Sequence, residues 1–240
     1  MKAIITFHSI DNRGTVLSFP PETFAGLVSD LICRGVTICT LDQLLNPEVD
    51  NAVAITFDDG MRSVYENALP ILRDAKVPAH LYLTTAFVGG KNDWPTQPVS
   101  APAFDMMTWT EIEACVAAGM RIEGHTASHP NLCQLNESQI EDECETADHS
   151  IGQKIGVRPR HFAYPYGAYN GKVIDVVGNR YQSCTTTRLL PLTRTLKLDE
   201  LPRLDSYYLQ SRHIHSDLFS LSSTAYLRLR HYMRLLKAAL

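Results

Sequence analysis

Five groups of residues carry side chains that do chemistry. Asp58-Asp59-Gly60 places two carboxylates side by side. His125-Thr126-Ala127-Ser128-His129 separates two imidazoles by three residues, an HxxxH spacing. His8 follows an apolar run, Tyr164-Pro165-Tyr166-Gly167 is a tight aromatic turn, and Pro202-Arg203 follows Leu201. Adjacent carboxylates repel, and burial raises their pKa values. A bound cation lifts that penalty for one carboxylate and leaves the other free as a base. The plainer reading of the pair is a solvated Asp-Gly turn, against which stands the strongly apolar run before it. If the HxxxH segment is helical, both imidazoles share a face and reach one metal ion; taken alone, they read as surface or capping histidines. Two His and one Asp make three protein ligands with a position left open, the donor pattern of catalytic zinc or a similar divalent ion. The Tyr-Pro-Tyr-Gly turn offers a backbone N–H to an oxyanion, or is only a turn.

These groups need a scaffold that gathers them. Ala3–Phe7, Ala52–Phe57, Ala79–Thr84, Arg121–Glu123, His161–Ala163, Gln182–Thr185 and Leu201–Leu204 read as short strands. Between them lie helical patterns over residues 22–34, 64 to about 76, 137–155 and 173–177, with a last helix over 222–240. Thr108 to Glu111 has the form of a capping box. Strands alternating with helices imply a parallel sheet, and about seven units imply a (β/α)7 TIM-like barrel; a doubly wound open sheet is the alternative. No GxGxxG or GxxxxGK[ST] follows a strand, which disfavours nucleotide binding. In a parallel barrel the chemistry sits at the strands' C-terminal ends. That is where His8, Asp58, His125, Tyr164 and Arg203 fall.

The 240 residues carry 22 Lys plus Arg against 26 Asp plus Glu, a formal charge of −4, with 45% apolar residues. This excludes a disordered chain and gives no global drive toward nucleic acid. The expectation is one catalytic domain over residues 1–240. No apolar run approaches the ~20 residues that span a bilayer. The N-terminus does not read as a secretory signal, and the six cysteines form no CxxC pair. The reading is a cytoplasmic protein with its cysteines reduced in the core.

In combination and order the motifs resemble the polysaccharide deacetylase family, carbohydrate esterase family four, over nearly the whole chain. Thr56–Gly60 (TFDDG), His125–His129 (HTASH) and Phe162–Gly167 (FAYPYG) look like its three motifs. The resemblance implies a distorted (β/α) barrel. It implies Asp59, His125 and His129 as ligands of a divalent metal, with zinc foremost and cobalt, nickel or iron as alternatives. Asp58 becomes the general base, and the Tyr166 N–H an oxyanion donor. Two departures stand out. The family's third motif carries an Arg where this chain has Ala163, and Arg203 is the candidate substitute for bracing Asp58. The usual LxH motif is absent, although His213 and His215 lie in HIH. Phe7-His8-Ser9-Ile10 is similar to the YHxI strand end of biofilm exopolysaccharide deacetylases, which makes His8 the general acid.

The implied activity is N-deacetylation of an amino-sugar glycan or its intracellular precursor, a lipid-linked sugar being one form of it. The alternatives are deacylation of another amide, such as an N-formyl sugar or a cyclic amide, and an inactive carbohydrate-binding relative. Trp94, in the loop from Val88 to Met107, is either a stacking platform for a sugar or a packing residue. In the last helix Arg228, Arg230, Arg234 and Lys237 accompany Leu227, Leu229, Leu235 and Leu236. Its leucines are expected to cover the barrel, with membrane contact as the alternative.

Overall fold

A computed structural model describes residues 1–98 and 100–238. The scaffold is a curled, all-parallel sheet. Its strands are β1 (Lys2–Phe7), β5 (Ala52–Phe57), β6 (His80–Leu83), β7 (Arg121–Gly124), β8 (His161–Ala163), β9 (Ser183–Thr185) and β10 (Leu204–Asp205), in the order β10-β1-β5-β6-β7-β8-β9. β4 (Thr37–Ile38) adds a two-residue pairing against β5, and β2 (Ser9–Ile10) pairs with β3 (Ser18–Phe19) in a separate two-stranded sheet. Leu204 pairs with Ile5 of β1, and Leu201 bridges to Thr185 of β9. One short segment thus joins the two edges, and the sheet becomes a distorted (β/α) barrel.

Strand periodicity divides the side chains. Ile5, Phe7, Ile55 and Phe57 point toward the helices and are fully buried. Phe7 packs edge-on against Phe19 and Phe24, each with ring centroids 5.1 Å apart. Ile4, Ala54, Tyr82 and Ala163 fill the barrel interior. The same parity carries His8 and Asp58 inward, one step beyond Thr6 and Thr56. Phe7 lies opposite Phe57, and the Asp58 N–H donates to the Phe7 carbonyl at 2.9 Å. The register therefore sets His8 beside Asp58.

The outer layer contains α1 (Pro21–Cys33), α2 (Leu41–Leu45), α3 (Leu69–Ala75), α4 (Trp109–Ala117), α5 (Glu137–Ile155), α6 (Gly171–Gly178), α7 (Arg212–His215) and α8 (Leu221–Ala238). The Thr108–Glu111 capping box is present at α4. The helical pattern from residue 64 divides into a π turn over Val64–Ala68 and α3, with Pro70 in the first turn of α3. Residues 239–240 of the last expected helix lie outside the described residues.

Three expectations are corrected. The leucines of α8 do not cover the barrel: Leu227 is buried, whereas Leu229, Leu235 and Leu236 are exposed. Cys33 is also exposed and Cys133 half-buried, while the other four cysteines are buried; all six are free. Arg203 precedes β10 instead of ending a strand at Leu204.

A polar plug lies where β6 and β8 begin. The Leu41 N–H donates to His80 Nε2 at 2.9 Å, so the proton of the neutral ring is on Nδ1, which donates to Glu123 Oε1 at 2.9 Å. The N–H groups of Arg160 and His161 donate to Glu123 Oε2, each at 2.9 Å. A buried carboxylate is tolerated when its oxygens are satisfied in this way.

Candidate active site

The turn after β5 aims its two carboxylates differently. Asp59 has φ +72°, and Gly60 follows at φ +104°. At that φ an L side chain is strained whatever the space around it, so this sharp reversal favours glycine. Asp58 turns to Arg203 and Asp59 to the two histidines.

Arg203, 2% exposed, grips Asp58 through both carboxylate oxygens at 2.7 Å. Its Nε donates to the Thr186 carbonyl at 3.1 Å, and Nη1 also donates to Thr6 Oγ1 at 3.0 Å. Its guanidinium carbon lies 5.7 Å from the Tyr82 ring centroid. Burial alone would raise the Asp58 carboxyl. The charge and hydrogen bonds of Arg203 outweigh it and hold Asp58 below the usual carboxylate range. His8 Nε2 stands 4.0 Å from Asp58 Oδ2 and is partly open to solvent.

The HxxxH segment is a loop, not a helix. Thr126 and His129 both adopt positive φ, +66° and +57°. The loop curls both rings toward Asp59 Oδ1, with His125 Nε2 at 3.4 Å and His129 Nε2 at 3.5 Å. The carboxylate of Glu143, on α5, holds the loop by accepting from the N–H groups of Ala127 and Ser128 at 3.0 and 2.8 Å and from Ser128 Oγ at 2.5 Å. Nothing in the spacing of Glu143 on an amphipathic helix marks it for this work.

One ligand atom from each of Asp59, His125 and His129 lies within 4.8 Å of the others, so the three form a buried group able to hold a metal ion. Their chemistry fits. His125 Nδ1 donates to the Ala163 carbonyl at 2.7 Å, which leaves the lone pair of the neutral ring on the inward Nε2. Burial pushes His129 down to about 3, so its ring is neutral at working pH. Its Nδ1 is buried with no hydrogen-bond partner among the described residues.

Tyr166 has φ +60° and ψ 4°. A Cβ on the next residue, Gly167 at φ +67°, would overlap Thr187, so the turn has no room for another residue type. Among the described residues no protein acceptor meets the Tyr166 N–H. Trp94 is only 3% exposed, and its ring lies over His129 with centroids 4.3 Å apart. Its Nε1–H donates to the Tyr166 hydroxyl at 3.1 Å. The hydroxyl pairs with Thr96 Oγ1 at 2.8 Å, and Thr96 donates to the His129 carbonyl at 2.9 Å. Trp94 thus faces a histidine more than solvent, and Thr96 joins the site without a sequence signal. His213 and His215 lie in α7, and His215 Nδ1 bonds to the Leu209 carbonyl at 3.0 Å, away from the site.

His8, Asp58, Asp59, His125, His129 and Tyr166 all border one cavity of about 130 Å³. This volume is small against the ~300–1,000 Å³ of ordinary ligand pockets, and suits an acyl group better than a whole glycan unit.

Residues 46–180 match the family model for polysaccharide deacetylase, and the chain belongs to the polysaccharide deacetylase family. It is 25% identical over 192 residues to YxkH of Bacillus subtilis (strain 168), which carries the family's name; the match spans 77% of this chain and 63% of YxkH. It is 28% identical over 135 residues to the poly-β-1,6-N-acetyl-D-glucosamine N-deacetylase of Staphylococcus aureus (strain MRSA252), across 52% of this chain and 44% of that protein. The matches therefore span less than two thirds of either relative. Among solved structures, IcaB from Ammonifex degensii superposes with a TM-score of 0.74 at 22% identity, covering 90% of this chain and 97% of that one. The Streptococcus pyogenes deacetylase PplD, in complex with acetate, superposes with a TM-score of 0.73 at 22% identity over 85% and 91%. These likenesses show a shared fold.

Proposed function

We propose that the chain is a metal-dependent hydrolase that removes N-acetyl groups from an amino-sugar glycan or its intracellular precursor. One observation carries the reading: an ionised carboxylate, Asp58, braced by Arg203 and facing His8, stands next to the separate ligand set Asp59, His125 and His129. The name of the Staphylococcus aureus relative supports the substrate class, and the six free cysteines support an intracellular setting.

Asp59, His125 and His129 would hold a divalent ion, zinc being the best fit to two imidazoles and a carboxylate, and when bound it would supply Lewis acidity toward the acyl oxygen and toward water, whose pKa falls from 15.7 toward about 7 on such a metal. Asp58 takes a proton from the attacking water as its oxygen bonds to the acyl carbon. Arg203 occupies one direction on each Asp58 oxygen and leaves further lone pairs for that proton. The Tyr166 N–H donates to the acyl oxygen as negative charge gathers there. His8 gives a proton to the nitrogen as the C–N bond breaks. The products are acetate and a free amine.

The small cavity favours a short acyl group, which keeps an N-formyl sugar as the second reading. Acetate and formate release from matched N-acetyl and N-formyl amino sugars separates the two. Acetate release supports N-deacetylation, formate release alone supports the second reading, and release of neither supports an inactive binding relative.

A further inference from the structure

Helix α8 carries its apolar side chains on the wrong side for a helix that only covers a barrel. Ser223 and Leu227 face inward and are buried. Leu221, Leu229, Tyr232, Met233, Leu235 and Leu236 are exposed, Leu221 to 90%, Leu236 to 67% and Leu229 to 59%. Positions 221, 225, 229, 232 and 236 follow one another at helical spacing, so Leu221, Ala225, Leu229, Tyr232 and Leu236 form one outward stripe. A contiguous outward apolar surface on a soluble domain marks an interaction site.

The charge on α8 narrows the occupant. The helix has no acidic residue and contains Arg228, Arg230, Arg234 and Lys237. Arg230 and Arg234 lie over the Tyr208 ring, at 5.1 and 5.9 Å from its centroid. Arg234 and Lys237 also line a groove of about 550 Å³ that shares His8 and Asp205 with the catalytic cavity. Asp205, 3.8 Å from Arg234, is the only carboxylate lining this groove among the described residues. Arg228 borders the stripe, so a second copy of the chain packed stripe to stripe would set this cation against its own copy. No described helix is long and apolar enough to cross a membrane. A basic helix with a broad apolar stripe is instead suited to lie in an anionic interface.

We propose that α8 docks the protein on an anionic phospholipid surface. Leu229, Tyr232 and Leu236 enter the boundary of the acyl chains, and Arg228 and Lys237 meet head-group phosphates. The groove beside His8 then opens toward the lipid. This placement rests on α8 and is independent of the catalytic reading.

The test is sedimentation of the full chain with vesicles of phosphatidylcholine alone and of phosphatidylcholine mixed equally with phosphatidylglycerol. Binding is expected only to the mixed vesicles, weakening as salt is raised. Lys237→Gln is expected to weaken it about fivefold, and Leu229→Ser with Leu236→Ser about tenfold or more. All three positions are exposed, so thermal unfolding of the variants should match the parent. The proposal is overturned by no binding to the mixed vesicles, by equal binding to both vesicle types, or by parental binding of the double Ser variant. It is equally overturned by a dimer in solution that the double Ser variant dissolves.

Discussion

Arg203 holds Asp58 by two parallel hydrogen bonds of 2.7 Å, reaching from the residue before β10 to the residue after β5. This links the two strands that flank β1, and under the proposed function it braces Asp58 in place of the arginine that the sequence resemblance expects at residue 163. Removing one member of a buried ion pair leaves the other charge uncompensated. Arg203→Met should therefore destabilise the fold by about 3–5 kcal/mol in urea titration. It should also move the acid limb of the pH–rate profile upward, because burial then raises Asp58 with its main counter-charge removed. Arg203→Lys should restore little, since an ammonium cannot make the paired contact. A swap, Arg203→Ala with Ala163→Arg, is expected to recover part of the activity, measured as acetate release.

His8 serves as proton donor only if the leaving group needs one. His8→Gln should lower kcat on an N-acetyl amide about 10²–10⁴-fold. The same substitution should cost far less on an activated aryl ester, whose leaving group departs unprotonated. Metal content should be unchanged. Equal losses on amide and ester would remove His8 from this role.

The ligand set separates from the base by substitution. Asp58→Asn should retain bound zinc and lose turnover, whereas Asp59→Asn and His125→Ala should lose zinc itself, read by elemental analysis after dialysis. Loss of metal from Asp58→Asn would merge two roles that the geometry keeps apart.

The plug around Glu123 predicts acid sensitivity. Burial holds His161 below the ordinary histidine value. Burial would raise Glu123, but the His80 hydrogen bond, the two neighbouring rings and the His161 N–H hold it below the ordinary carboxylate value. In both cases the unfolded chain binds protons more readily than the folded one, so their contribution is present at neutral pH and lost on acidification. Thermal stability should begin to fall below about pH 6.5 as unfolded His161 protonates, and fall again below about pH 4.3. Glu123→Gln should flatten the lower step. It should also cost about 1–3 kcal/mol, because the amide sets a donor against His80 Nδ1–H or removes an acceptor from the Arg160 and His161 N–H groups.

Much of this arrangement is legible from residue patterns, and the failures have physical causes. Ala52–Phe57 and Glu137–Ile155 stand where their periodicity places them, because long apolar patterns dominate local preference. The pairings at Ser9–Ile10, Ser18–Phe19 and Thr37–Ile38 are two residues long and leave no periodic trace. HxxxH implies a shared helical face, yet positive φ at Thr126 and His129 brings the rings together in a loop instead. Glu143 and Thr96 act through backbone groups of that loop, which no sequence spacing encodes. The stripe on α8 is visible as a pattern, but which side meets the barrel depends on tertiary packing.

Under the proposed function a metal ion and Asp58 act together on an acyl group. Acetate release from N-acetylglucosamine oligomers, measured on the chelator-stripped chain before and after adding zinc, tests it most directly. No release is expected from the stripped protein, with restoration by zinc in the parent but not in Asp58→Asn. Full activity in the stripped protein, or restoration in Asp58→Asn, would contradict it.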